Sequence, residues 1–159
     1  MVKNYINWIR QKIGHEMVIL TFSGGILTND KSEILMQKRS DKNAWGLPGG
    51  TIELGESAAD TLRREFKEET GLNVKVNHLL GIYSKYFDSY PNGDKAQTIT
   101  VLYEVSKNEM EQVLDVSNKE TLDLEYFSFE KILNEVEIVN QQHKDMIKDY
   151  INNQFPVNR

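Results

Sequence analysis

A chain of 159 residues can bury a substantial core, and a single domain over 1–159 is expected. Its 19 Lys and Arg against 24 Asp and Glu give a net charge of −5. That disfavours extended nucleic-acid contact, which needs Lys and Arg on the phosphates. Cysteine is absent, which excludes disulfides, thiolate zinc sites and cysteine nucleophiles. No apolar run approaches the roughly 18 residues of a membrane span. Tyr5, Ile6, Trp8 and Ile9 are interleaved with polar residues rather than forming a signal core, so a cytoplasmic protein without membrane contact is expected.

Residues 3–13 read as an amphipathic helix with Tyr5, Ile9 and Ile13 on one stripe. Met17 to Thr28 reads as a strand, where Gly24-Gly25 marks a bulge or a close backbone approach. A turn at Asn29-Asp30 leads to a strand over Glu33 to Lys38. Residues 39–48, ending Trp45-Gly46-Leu47-Pro48, read as a loop. Ser57 is a good helix N-cap and Gly71 a natural terminator, so a helix is predicted over about 58–70. Strands follow over Val74 to Tyr86 and Gln97 to Val105, with Ile99, Val101, Tyr103 and Val105 on one side of the second. They are joined by the turn signal Pro91-Asn92-Gly93-Asp94. A short strand over Glu125 to Phe129, a helical turn at 130–134 and an amphipathic helix over 138–153 complete the pattern. Asn152 to Arg159 is expected to fray. Strands alternating with few helices argue for a mixed α/β sandwich.

The helix at 58–70 carries the chemistry. On it Glu65, Glu68 and Glu69 are related by i+3 and i+4 and share a face, beside an apolar stripe of Ala59, Leu62 and Phe66. Like charges at these spacings repel, and carboxylates in a last helical turn oppose the helix dipole. A divalent cation resolves both conflicts. Carboxylates without His or Cys select a hard cation, Mg2+ or Mn2+. Mg2+ usually takes one or two carboxylates plus substrate phosphates, so a phosphate-bearing ligand follows. Arg64, four residues before Glu68, is placed to pair with it or with a nearby glutamate and orient the carboxylates.

From Gly50 through Glu56, Arg64-Glu65-Phe66 and Glu68-Glu69 to Gly71-Leu72, the segment resembles the Nudix box at every position. Trp45-Gly46-Leu47-Pro48-Gly49-Gly50 is similar to its lead-in, and Glu125-Tyr126-Phe127 resembles a late aromatic strand of many members. The resemblance implies the Nudix fold, a mixed β-sheet in an α/β/α sandwich. It implies metal-dependent cleavage of a phosphoanhydride in a nucleoside diphosphate linked to another moiety. Glu65, Glu68 and Glu69 would be metal ligands. Glu56 would be a further ligand, a water-positioning group or a structural partner. Glu69 is the first choice of general base, with Glu120 or Glu125 as alternatives. Gly50 would let backbone approach metal or phosphate. Lys38 and Arg39 are candidates to reach phosphate, and Trp45, Tyr86 and Tyr90 to stack on a base. His15, His78 and His143 are scattered, which favours solvated or core roles over ligation. A small nucleotide is the expected partner, and a homodimer is left open. Two other readings are a pyrophosphohydrolase of RNA 5′ ends and a nucleotide-sensing protein that keeps the fold without turnover.

Overall fold

Strands dominate the chain, and in the computed structural model, which describes residues 4–109 and 112–159, they build two sheets. The elements are α1 (Tyr5–Ile13), β1 (Val18–Leu27), β2 (Ile34–Arg39), β3 (Ala44–Gly46), β4 (Gly49–Thr51), α2 (Ala58–Thr70), β5 (Val74–Ser89), β6 (Lys95–Lys107), β7 (Thr121–Phe127), α3 (Phe129–Asn134), α4 (Gln141–Ile151) and β8 (Val157–Asn158). Lys3, where the first helix was expected to begin, lies outside the described residues. Strand order in the larger sheet is β4-β1-β6-β5-β8. It is mixed: β1 runs parallel to β6 from Val18↔Ala96 to Leu27↔Val105, while β5 and β6 are antiparallel. The smaller sheet, β3-β2-β7, is antiparallel.

Alternation along the strands sorts the core into two layers. Ile26, Ile34 and Met36 pack with Met146 and Ile147 of α4, whereas the intervening Leu27 and Leu35 pack with Leu62 and Phe66 of α2. Helices therefore cover opposite faces, as the α/β/α expectation requires. Each fully buried side chain of this kind contributes about 1.5–3 kcal/mol. No helix among the described residues is long and apolar enough to cross a membrane.

Three local expectations are corrected. The segment 39–48 is not all loop, because Ala44–Gly46 pairs with Gln37–Arg39 as β3. On β6 Ala96, Thr98, Thr100 and Leu102 are buried, while on the other side Ile99, Val101 and Tyr103 are half-buried and Val105 is buried. This strand lies between β1 and β5 with both faces covered, so hydrophobic alternation does not select its inner side. Finally, the C-terminus is not frayed. Val157–Asn158 pairs in parallel with Gly81–Ile82, Phe155 packs on the core, Arg159 N–H donates to Ile82 O at 2.9 Å, and the Arg159 guanidinium pairs with Asp149. Gly81 makes room, since a Cβ there would lie 2.6 Å from Val157 O.

Candidate active site

Helix α2 begins where Ser57 accepts from Asp60 N–H and ends at Gly71, whose φ of 77° is left-handed. Its fully buried Leu62 and Phe66 bring it hard against β1: a Cβ on Gly25 would sit 2.7 Å from the Phe66 ring. The Gly24-Gly25 pair is thus a close approach. This contact fixes the adjoining, carboxylate-bearing side of the helix beside β4. There a Cβ on Gly50 would lie 2.3 Å from the Glu65 carboxylate, and Gly49 N–H donates to Glu69 Oε2 at 2.9 Å.

The three glutamates differ. Glu65 and Glu69 are 9% and 6% exposed, whereas the Glu68 side chain is 59% exposed. Burial, then the neighbouring Glu65, push the Glu69 carboxyl up to about 8 in this metal-free state; burial also raises Glu65, against the favourable Arg64 contact. Two buried carboxylates that resist ionisation, at a wall where glycine leaves space, suit a hard cation. Among the described residues no three His, Cys, Asp or Glu side chains converge on one point.

Arg64 organises the cluster, and of the two expected partners, Glu68 or a nearby glutamate, its principal one is the nearby Glu56. Nε and Nη2 donate to the two Glu56 oxygens at 2.7 and 2.8 Å, and Nη1 donates to Glu65 Oε1 at 2.7 Å. Glu68 is 3.4 Å away. Glu56 also accepts from Thr61 Oγ1 at 2.8 Å and Glu53 N–H at 3.2 Å. The Arg64 hydrogen bond above all lowers Glu56 to about 2. Both its oxygens are engaged by protein donors, so of its three roles the geometry favours the structural partner and not the metal ligand.

These groups line a cleft of about 550 Å³, which Arg39, Tyr90 and Glu120 also border. Arg39 is held by a fork on Asp41 at 3.0 and 2.7 Å. Tyr90 closes the β5–β6 turn, its N–H donating to Asp94 O at 2.9 Å. Other sequence candidates lie elsewhere. Trp45 packs edge-on against Phe127 at 4.7 Å in the core and does not line the cleft. Tyr86 is buried and donates to Asp145 at 2.7 Å, so it is not available to stack on a base. Glu125 is exposed and pairs with Lys131 at 3.2 Å, outside the cleft, which removes it as an alternative base. Lys38 does not line the cleft. His143 is half-buried, accepts from Leu47 N–H at 3.0 Å, and is held down to about 3, mainly by desolvation of its ring. Ile6, Asn7 and Arg10 of α1, and Leu20 and Phe22 of β1, line the cleft without having been anticipated. Nothing local signals them, because their role comes from packing against a segment far along the chain.

Known proteins match this arrangement. A 129-residue stretch is 33% identical to an ADP-ribose pyrophosphatase of Methanocaldococcus jannaschii, covering 80% of this chain and 70% of that protein. A shorter stretch, 63 residues at 48% identity, matches an RNA pyrophosphohydrolase of Ruthia magnifica over 40% of this chain but only 35% of the relative. The MutT protein of Methanosarcina mazei Go1 superposes with a TM-score of 0.69 at 23% identity, over 88% of this chain and 98% of that one. The NUDIX domain profile matches residues 23–150, taking in both sheets, the buried glutamates of α2 and the glycine-lined wall that faces them. The chain therefore belongs to the NUDIX family, as a hydrolase acting on phosphorus-containing anhydrides.

Proposed function

We propose that the chain hydrolyses the phosphoanhydride of a small nucleotide, a nucleoside diphosphate linked to another moiety, with Mg2+ or Mn2+ as cofactor. The observation that carries this reading is the buried pair Glu65 and Glu69 facing Gly49 and Gly50 in an open cleft. Glu65, Glu69 and the exposed Glu68 would hold the metal. Bound there, it would supply charge neutralisation of the diphosphate and a lowered pKa for coordinated water.

The chain's own residues do the rest. Arg64, anchored by Glu56, keeps the Glu65 carboxylate turned toward the cleft. Gly50 leaves room for a phosphate against backbone, and Arg39 offers a cation at the cleft border. Glu69 is the proposed general base: it lines the cleft with its Oε2 held in place by Gly49 N–H at 2.9 Å. Glu120, on the same cleft, is the alternative. Tyr90 is the remaining aromatic candidate to stack on a base.

The relative that spans most of this chain is called an ADP-ribose pyrophosphatase, which puts ADP-ribose first among substrates. Extended RNA contact is disfavoured by the net charge of −5 and by the glutamates of the cleft. The test is a panel of ADP-ribose, nucleoside triphosphates, nucleotide sugars, CDP-alcohols, dinucleoside polyphosphates and a 5′-triphosphorylated oligonucleotide, with Mg2+ or Mn2+ and product identification. Release of a nucleoside monophosphate from a linked diphosphate supports the proposal. Turnover of the oligonucleotide alone would replace it with the RNA-end reading, and no turnover at all with the sensing one.

A further inference from the structure

Helix α1 precedes the matched family segment, which begins at residue 23, yet it forms one wall of the cleft. It is fastened there from two sides. Tyr5 N–H donates to Glu53 Oε2 at 2.7 Å. Arg10 donates from Nη1 to Gly14 O and Glu16 O at 3.1 and 2.6 Å, and from Nη2 to Lys95 O at 2.7 Å. The last of these ties α1 to the start of β6.

The wall carries two features that phosphates do not explain. Ile6 lines the cleft together with Leu20 and Phe22 of β1, a set of apolar side chains in an otherwise polar lining. A phosphate gains nothing from such a surface; a flat heterocycle does. The second feature is Arg10 Nε. Its side chain is only 10% exposed, yet among the described residues this nitrogen is buried without a hydrogen-bond partner, the Asp94 carboxylate standing 3.5 Å away. A nitrogen with no exposed surface cannot receive a ligand, so Arg10 serves by holding α1 to β6 through Lys95 O and the Asp94 ion pair.

We propose that α1 completes a nucleoside subsite, in which Ile6 and Phe22 seat the base and Arg10, tied to Lys95 O and paired with Asp94, is the positioning residue that holds α1 in place. The inference rests on the nucleotide-hydrolase reading above and adds to it the part of the protein that recognises the nucleoside.

The experiment uses the full chain, Ile6→Ala and Arg10→Lys. Ile6 is partly exposed and Arg10→Lys keeps the charge, so both variants are expected to fold, which thermal unfolding checks. Calorimetry measures binding of AMP and UMP, which contain no anhydride, in Mg2+ buffer. Kinetics compare ADP-ribose with 5-phosphoribosyl 1-diphosphate, which has the diphosphate but no base. Ile6→Ala should weaken the better-bound monophosphate and lower kcat/KM for ADP-ribose about tenfold, through KM, as expected for losing two or so partly buried methylene equivalents. The base-free substrate should be affected by less than about twofold, within the scatter of a surface change. Arg10→Lys should weaken the same ligands. Equal losses on both substrates, unchanged monophosphate binding in both variants, or no detectable binding by the wild-type chain would overturn the subsite. If the wild-type chain binds AMP or UMP, loses this in Ile6→Ala, and hydrolyses nothing, the subsite stands and the hydrolase reading fails. If it hydrolyses ADP-ribose and both variants match it, the reverse holds.

Discussion

Glu69 and His143 together set an unusual dependence of stability on pH for the metal-free protein. Glu69 rises from 4.5 to about 8 in the folded chain, and His143 falls from 6.5 to about 3, both mainly through burial. A raised folded value means the folded state binds a proton that the unfolded state releases. Glu69 therefore adds stability as pH falls from 8, and its contribution is complete below 4.5. His143 works the other way. Its contribution is complete above 6.5 and is lost as pH falls toward 3, because only the unfolded imidazole takes the proton. From 8 to 6.5 Glu69 acts alone, and at 1.36 kcal/mol per pH unit the gain is about 2 kcal/mol. From 6.5 to 4.5 the Glu69 gain and the His143 loss offset each other, while Glu65, also raised by burial, adds on the Glu69 side. Below 4.5 stability declines, joined by Glu56, whose lowered value of about 2 makes its pairing with Arg64 fail in acid. Urea unfolding in EDTA across this range is the assay. Glu69→Gln should flatten the limb between 8 and 6.5, and so should saturating Mg2+. A wild-type stability that is level or falls from pH 8 to 6.5, or a limb that persists in Glu69→Gln, would refute the reasoning.

Three further outcomes are expected. The double variant Glu68→Gln, Glu69→Gln should lose roughly 10²–10³-fold in turnover while remaining folded by circular dichroism, because it removes charge from the electrostatic centre of the site; wild-type turnover would remove the metal assignment. Arg64→Lys keeps the charge but loses the fork that spans Glu56 and Glu65, so Mn2+ affinity should fall about 10–100-fold without substrate present. A raised KM with unchanged Mn2+ affinity would instead place Arg64 on the substrate. Tyr90→Ala should alter the ratio of activities across bases by about tenfold, the scale of one stacked base, with metal dependence unchanged. A uniform loss across all substrates would reduce Tyr90 to packing in its turn.

Several side chains were assigned by residue type and the structure redistributed them. Trp45, Tyr86 and Tyr90 are all aromatic candidates near loops. Only Tyr90 borders the cleft, because Trp45 fills a place beside Phe127 and Tyr86 is held by Asp145. Glu120 immediately precedes β7 and Glu125 lies within it, five positions on. One borders the cleft and the other faces solvent beside Lys131. Arg64 is expected to pair with Glu68 or a nearby glutamate, and its strongest bonds go to Glu56, eight positions back and before the helix begins. Helical spacing reveals neighbours one turn away, and the chain's path into the helix supplied a better one.

The sequence by itself determined the carboxylate-bearing helix, its caps at Ser57 and Gly71, the shared face of three glutamates and the family to which the chain belongs. Those features are local: a 3.6-residue period, a cap and a fixed spacing of charges are set by residues close along the chain. Tertiary structure alone decided which glutamates are buried, that α1 walls the cleft, that β8 closes an edge of the sheet, and that the inner side of β6 is its threonine side. Each of these depends on partners remote in the chain, such as Glu53 for Tyr5, Lys95 for Arg10 and Gly81 for Val157. Burial and pairing between remote segments are properties of the packed whole, and no local pattern of residues encodes them.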